Sequence, residues 1–519
     1  MHQDKPNIVI CFVDDMGYGD VSCLNRDAKI RTRRIDQLAS EGIVFTDAHS
    51  SSAVCSPSRY SLLTGRYNWR STLQSGIVEP YGNPLIAPDR TTIASMLQRA
   101  GYHTACIGKW HLGMGWDFDV TYDFLTGARH GPAPEPGHDL EAGDEQRRIW
   151  SDAFSRPTTG GPTTRGFDSY FGVDVPNWPP YCFIENDRTV GIPSEFLPAR
   201  HLVRNQASFG GPAMPYWHFE QLLPAWAKRA DEYIANRAAS DEPFLLYLPL
   251  TSPHTPLAVN APWIGASGLS SLYADLVLET DDVFGRVLDS LHRHGVDDNT
   301  IVIFASDNGC APYIGVDELE AQGHYPSGAF RGYKSDAWDG GHRIPLIVRW
   351  PGVIGAGSTS AKLVCLTDVF ATIADYLEIP LADSEAEDSV SLRPVFEQAQ
   401  RPGRRDVIHH SIMGKFAIRD ERWKLVLCPG SGGWTLRDAA AAEQGLPLVQ
   451  LYDMRADPGE TCNLSDTYPR RVREMVATLK EHVARGRTTP GEPQSNDAPV
   501  DIWKLETIPS VDPAAVDDY

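Results

Sequence analysis

The 519-residue sequence predicts an α/β protein: a large mixed, mostly parallel sheet flanked by helices, followed by a smaller C-terminal α+β domain built on an antiparallel sheet. Three observations carry this. Unbroken apolar runs at 7–13, 244–250 and 300–306 have the character of strands buried on both faces. Helical stretches alternate with them, the pattern of a parallel sheet covered on both sides. Beyond a polar, acidic bridge at about 380–400 the pattern changes to short strands and one helix. The expected division is a large domain over 1–390 and a small one over 391–519.

The first strand, Asn7-Ile8-Val9-Ile10-Cys11-Phe12-Val13, halts at the loop chemistry of Asp14-Asp15-Met16-Gly17. A helix around 35–40 ends at Gly42, and a strand follows at 43–48. Small hydroxyl residues then lead into Cys55-Ser56-Pro57-Ser58-Arg59 and on to Gly65. Proline in the first turn and glycine after the last apolar-periodic residue mark a short helix. Cys55 sits at its N-terminus, where backbone N–H groups and the dipole favour negative charge. Arg59 adds a cation one turn on. A thiol so placed is a candidate reactive group rather than a packing residue. Residues 91–100 read as an amphipathic helix stopped by Gly101. The strand at 102–107 then delivers Gly108-Lys109-Trp110-His111-Leu112-Gly113.

From 113 to 225 the periodicity fails, and Pro, Gly, His and Trp dominate. Loops of this length usually form lids or binding walls. Disordered chain is poor in Trp, Tyr and Phe, so an ordered substrate wall is expected in place of a disordered insertion. His130, His138, Trp178, His201, Arg204, Trp217 and His218 are its candidate ligand-facing residues. Regularity returns with a helix at 225–239, the 244–250 strand and Ser252-Pro253-His254-Thr255-Pro256. A long helix at 270–292 leads to the 300–306 strand, Asp307-Asn308-Gly309 and Arg331-Gly332-Tyr333-Lys334. A strand at 343–349 and a helix at 368–377 close the large domain. Positions 14, 15, 109, 111, 254, 307 and 308 all follow strand ends, and in such sheets ligands bind off the carboxyl ends of the strands. The small domain has expected strands at 407–412, 415–419, 423–427 and 449–452, then a helix at 470–485.

With 42% hydrophobic and 22% charged residues the composition is that of a globular protein. No apolar run approaches the ~20 residues that span a bilayer. A net charge of -21 argues against nucleic acid and anionic membranes as partners. Nine scattered cysteines show neither C-x-x-C nor a disulfide framework; Cys11, Cys106, Cys365 and Cys428 are expected in the core. That usage suits a reducing compartment. Only Met1 to Pro6 precede the first strand, so a cytoplasmic location is expected for the chain as it stands. The alternative is a periplasmic or secreted protein whose leader has been removed.

C-x-P-x-R, at Cys55 to Arg59, resembles the site at which type I sulfatases have a cysteine oxidised to formylglycine. Asp14-Asp15, the Gly108–Gly113 motif, His254, Asp307-Asn308 and Lys334 stand in that family's order. The small domain is similar too, through Phe416-Ala417-Ile418-Arg419, Trp423-Lys424-Leu425, Leu451-Tyr452-Asp453 and Asp457-Pro458-Gly459-Glu460. The resemblance implies an alkaline phosphatase-like fold and a sulfuric ester hydrolase matured by a formylglycine-generating enzyme. It implies that Cys55 becomes the nucleophilic aldehyde hydrate and that Arg59 holds it. Lys109 and Lys334 would neutralise sulfate oxygens, His111 would serve as base for the hydrate, and His254 would be the leaving-group acid. Asp14, Asp15, Asp307 and Asn308 offer only oxygen, the signature of a hard cation; the family points to Ca²⁺, with Mg²⁺ possible. The alternative in the superfamily is a phosphonate monoester or phosphodiester hydrolase. The stretch from Gly76 to Tyr81 and on to Asp89-Arg90 looks like that of bacterial carbohydrate sulfatases. The expected substrate is therefore a sulfated saccharide of N-acetylgalactosamine or chondroitin type.

Overall fold

The computed structural model describes residues 5–117, 143–198, 201–202, 208–240, 242–397, 403–508, 511–516 and 519. Among the described residues a ten-stranded sheet organises the large part of the chain. Its strands, edge to edge, are Ser358–Ser360, Ile43–Phe45, Leu346–Arg349, Thr300–Ser306, Asn7–Asp14, Phe244–Pro253, His103–Lys109, Ser169–Val173, Ile184–Glu185 and Arg188–Thr189. The five from Thr300–Ser306 to Ser169–Val173 run parallel. Antiparallel pairings continue the sheet on both flanks.

Every residue of Asn7–Asp14 is buried, and alternate side chains enter different cores. Val9, Cys11 and Val13 pack towards Ile35, Leu38, Trp226, Ile234, Phe284 and Leu291 on one face. Ile8, Ile10 and Phe12 pack towards Leu62, Leu63, Ile93, Leu97, Phe370 and Ile373 on the other. A period of two with apolar residues on both sides is what an unbroken hydrophobic run becomes in a sheet covered twice. Cys11 and Cys106 lie in these two cores, Cys365 and Cys428 are buried elsewhere, and all nine thiols are free.

Three elements differ from expectation. The stretch 113–225 is not wholly an insertion, because Ser169–Val173 pairs in parallel with His103–Lys109 inside the main sheet. At five residues, with Gly166 before and Pro176 after, that strand is too short to leave a periodic signal. The strand expected over 43–48 stops at Phe45, and Ala48–His49 pairs separately with Val364–Cys365. The strand expected from 343 starts at Leu346, since Pro345 has no N–H to give a ladder.

The C-terminal strands Val407–His410, Phe416–Arg419, Trp423–Val426 and Gln450–Asp453 form an antiparallel sheet in sequence order. The helix Pro469–Arg485 packs Val472, Met475, Val476 and Leu479 into its core, which also takes Tyr67, Trp69, Leu363 and Cys365 from the large part. The edge strand Val407–His410 braces the segment before Cys55. Ala53 N–H donates to His410 O at 3.0 Å, and His410 N–H donates to Ser51 O at 3.0 Å. No helix of the described residues is long and apolar enough to cross a membrane.

Candidate active site

Four neighbouring parallel strands end side by side and bring their following residues together. Asp14 closes Asn7–Asp14 and Lys109 closes His103–Lys109; His254 follows Phe244–Pro253, and Asp307-Asn308 follow Thr300–Ser306. Gly108 makes the approach possible: its φ is +129°, and a Cβ there would lie 2.0 Å from Pro249 O. Cys55 opens the fully buried helix Cys55–Thr64, with Gly65 in the left-handed conformation at its far end. Lys334 arrives on a loop pinned by its own N–H to Cys310 O at 2.8 Å and by Ser335 N–H to Ala53 O at 2.7 Å.

The ten predicted residues meet in one buried cluster. The Arg59 guanidinium lies 2.8 Å from Asp307 Oδ2 and 3.3 Å from Asp14 Oδ2. Lys109 Nζ donates to Asp14 Oδ2 at 2.5 Å, and Lys334 Nζ lies 2.7 Å from Asp15 Oδ1. Asn308 Nδ2 donates to Asp15 Oδ1 at 2.7 Å, and Asp15 N–H donates to Asp307 Oδ1 at 3.1 Å. Burial pushes the Asp14 carboxyl up, but Lys109, His254 and Arg59 together hold it well below the usual carboxylate range. Burial and the Asp14 charge push Asp307 up to about 7. Burial raises the Cys55 thiol, with Lys109 and Lys334 pulling the other way. Asp14 Oδ1 and Asn308 Oδ1 are buried without a hydrogen-bond partner. Acceptors of Asp14, Asp307 and Cys55 lie within 4.8 Å of one another, as do those of Asp14, Asp15 and His254. Unsatisfied oxygens from carboxylates and an amide fit a hard divalent cation.

The histidines differ in which nitrogen is free. His111 Nε2 lies 3.1 Å from Val78 O, so it carries the hydrogen, and Nδ1 is a buried lone pair without a partner. Burial, then Lys109 and Arg59, hold His111 well below the ordinary imidazole range. His254 Nδ1 donates to Thr255 O at 2.6 Å, which leaves Nε2, 3.7 Å from Asp15 Oδ2, facing the cluster. Burial, with Lys334 next, brings its pKa down to about 4.

Several contributors escaped the sequence reading. Asp15 and His111 both have left-handed backbones, φ +65° and +55°, a strain that clusters at functional sites. The His111 N–H is held by Asp174 O at 3.0 Å and Asp174 Oδ1 at 3.2 Å. Burial pushes the Asp174 carboxyl up to about 6. The Tyr273 hydroxyl reaches Asp15 O at 3.0 Å and Asp20 Oδ2 at 2.5 Å, and His324 Nε2 donates to Asp20 Oδ1 at 2.8 Å. Asp20 lies in the loop that continues from Asp15, but Tyr273 and His324 carry no motif. Of the expected substrate wall, the structure brings Trp178 to the site, edge-on to His111 at 5.5 Å. Trp217 packs on Phe183 and Phe219 instead, and His201 and His218 are exposed. His130, His138 and Arg204 lie outside the described residues.

Known proteins resemble this chain over most of its length. The N-acetylgalactosamine-6-O-sulfatase of Bacteroides thetaiotaomicron is 30% identical, over 92% of this chain and 93% of that one. Human arylsulfatase G is 31% identical over 92% and 88%. A solved structure described under glycosaminoglycan metabolism by Bacteroides thetaiotaomicron superposes with a TM-score of 0.76 at 28% identity, covering 92% of this chain and 99% of that one. The phosphonate monoester hydrolase of Agrobacterium radiobacter shares the fold at a TM-score of 0.57 and 19% identity, over 93% and 96%. The family model Sulfatase matches residues 6–379. With that match spanning the sheet and every strand end that builds the cluster, the chain belongs to the sulfatase family of sulfuric ester hydrolases, a family that implies a formylglycine and a divalent metal.

Proposed function

We propose that this chain removes sulfate from a saccharide, with an N-acetylgalactosamine or chondroitin-type sulfate as the substrate class, after conversion of Cys55 to formylglycine. One observation carries it. The Cys55 sulfur lies within 4.8 Å of the Asp14 and Asp307 oxygens, Lys109 and Lys334 pair with Asp14 and Asp15 beside it, and two partnerless oxygens, Asp14 Oδ1 and Asn308 Oδ1, lie in the same buried cluster. Anion, cation and nucleophile are thereby accommodated within a few ångströms on a chain of net charge -21. The sugar class is supported by the names of relatives, N-acetylgalactosamine-6-O-sulfatase and N-acetylgalactosamine-6-sulfatase.

Asp14, Asp15, Asp307 and Asn308 would hold the cation, Ca²⁺ ahead of Mg²⁺; when bound it supplies positive charge against a sulfate oxygen. The hydrated aldehyde from Cys55 supplies a hydroxyl for attack on sulfur and a second hydroxyl whose proton can leave. Arg59 holds Asp14 and Asp307 in place beside that residue. Lys109 and Lys334 meet the non-bridging oxygens as compact charges suited to a non-planar anion. His111 Nδ1, the bare lone pair, accepts the hydroxyl proton. His254, with Nδ1–H kept on Thr255 O, must first take up a proton at Nε2 beside the Asp15 carboxylate. As the imidazolium it hands that proton to the bridging oxygen as the S–O bond breaks.

Two measurements test this. The Cys55 peptide of active enzyme should show the mass of the aldehyde; intact cysteine in fully active enzyme overturns the nucleophile. His254→Ala should cost a sugar sulfate about 10²–10⁴-fold in turnover and an activated aryl sulfate far less, because a phenolate leaves without help. His111→Ala should slow both alike. Equal losses in His254→Ala would reverse the two assignments.

A further inference from the structure

The loop after the third strand of the C-terminal sheet, Cys428-Pro429-Gly430-Ser431-Gly432-Gly433-Trp434, runs back to the large domain. Trp434 N–H donates to Ser335 Oγ at 3.0 Å and to Asp336 Oδ1 at 3.1 Å, and the Thr435 hydroxyl donates to Asp336 Oδ2 at 2.5 Å. Ala337 N–H donates to Ser431 O at 2.7 Å. The residues receiving these bonds directly follow Lys334, so the tryptophan loop and the lysine loop are built as one unit. Gly433 permits it, since a Cβ there would meet Ser335 O at 2.5 Å.

The indole of Trp434 lies against Tyr313, with ring centroids 5.9 Å apart and planes inclined at 46°. Tyr313 comes from the other domain, five residues after Asn308, close enough to Lys334, Asp15 and Cys55 for each to bear on its hydroxyl. Both rings are half-buried. Neither the phenol oxygen nor the indole N–H has a hydrogen-bond partner among the described residues. A core pair of this size would be covered; a surface pair would not stand beside a buried lysine and thiol.

We propose that Tyr313 and Trp434 form the shelf on which the sugar ring of the ester rests, which makes the C-terminal domain part of the substrate site. The inference rests on the saccharide sulfatase reading. A pyranose offers a C–H face that stacks on aromatic rings and hydroxyls that pair with the free phenol and indole donors. The sulfate end, held by Lys109 and Lys334, and the sugar end, held by the shelf, would then be recognised by separate groups.

The test takes the monosulfated hexosamine that the wild type turns over fastest, with inorganic sulfate as the probe of the anion pocket. Trp434→Ala should raise KM for the sugar sulfate about 10-fold, leave kcat within about threefold, and leave inhibition by inorganic sulfate unchanged. Trp434→Phe should recover most of the loss. A KM within twofold of wild type overturns the shelf. Sulfate inhibition weakened in the same proportion also overturns it, since Trp434 would then act by shaping the Lys334 loop. If the wild type cleaves aryl sulfates and no sugar sulfate, the saccharide reading has failed by itself. The variants are then compared on the aryl ester, whose ring would occupy the same shelf, and equal KM values sink the inference.

Discussion

Two buried polar clusters in this protein contain nearly the same ingredients. At the strand ends, Asp14, Asp15 and Asp307 face Arg59, Lys109 and Lys334, with His111 and His254 beside them. Where the two sheets meet, Asp47, Asp339 and Glu460 face Arg343, Arg419 and Lys424, around His49, His342 and His409. Both balance three acids against three bases. What separates them is which atoms are left open. At the junction Asp339 Oδ1 takes Lys424 at 2.9 Å and Oδ2 takes Arg343 and Arg419 at 3.1 Å each. Asp47 takes Arg343 at 2.7 Å and Arg419 at 3.0 Å.

The junction trio has histidine nitrogens within metal-chelating distance of one another. Yet His342 and His409 stack face to face at 3.6 Å and 9°, so their in-plane lone pairs run parallel and cannot converge on one ion. Lys424 Nζ also lies 3.1 Å from His342 Nε2. The strand-end cluster leaves a carboxylate and an amide oxygen open, whereas at the junction Asp47 and Asp339 have spent theirs and a ring nitrogen, His409 Nε2, is left bare. Residue type and burial alone therefore do not identify a site; unspent oxygens that converge on one point do.

The largest expected difference comes from removing one carboxylate charge in each place. Asp307→Asn should lower turnover at least ~10³-fold and abolish tight binding of divalent metal, at a small stability cost in the metal-free protein. The cost is small because relief of the repulsion from Asp14 offsets the lost pair with Arg59, which Asp14 still faces at 3.3 Å. Asp339→Asn should do the reverse, costing about 3–5 kcal/mol of stability by leaving buried cations unpaired. Chemical denaturation and metal titration of both variants decide it; a stability loss in Asp307→Asn equal to that in Asp339→Asn would erase the distinction.

Tyr273→Phe sharpens the comparison by removing the hydroxyl that links the Asp15 backbone to Asp20. The hydroxyl that steadies the left-handed Asp15 is lost, so divalent-metal affinity should fall about 10-fold, with the metal-free melting temperature nearly unchanged. An unaltered affinity would place the support of Asp15 in its other bonds alone.

The smallest effect is one of pH at the junction. Burial holds His49 down to about 4 and His342 and His409 well below the ordinary range, so the folded state keeps them neutral. The unfolded chain protonates them near pH 6.5. Their contribution is therefore full above about 6.5 and is lost as pH falls towards 4. Unfolding midpoints between pH 7 and 4.5 should decline, and His409→Gln should flatten the decline. An unchanged slope in that variant would assign the acid sensitivity elsewhere.

Much of this was legible in one dimension. Buried parallel strands announce themselves as apolar runs, and a residue such as Asp14 or Asp307 just past such a run is placed at the ligand edge by the chemistry of the sheet itself. The order of motifs around Cys55 did the rest for the family. Ser169–Val173 was hidden because five residues between turn formers carry no period. Tyr273, His324 and Asp174 were hidden because a hydroxyl, an imidazole or a carboxylate that reaches a backbone atom from a distant segment leaves no spacing to read.

What the chain determined by itself was thus most of the sheet and the seven positions just past its strand ends, since local pattern and connectivity dictate which residues reach one edge; Cys55, Arg59 and Lys334 joined them through the resemblance of their motifs. Tertiary structure alone decided which nitrogen of His111 is bare and which oxygens of Asp14 and Asn308 are unpartnered. It also decided that the histidine trio is a joint rather than a metal site, and that Trp434 comes to stand by Tyr313. Each of those depends on hydrogen bonds between residues tens to hundreds of positions apart, whose geometry exists only once the two cores have packed.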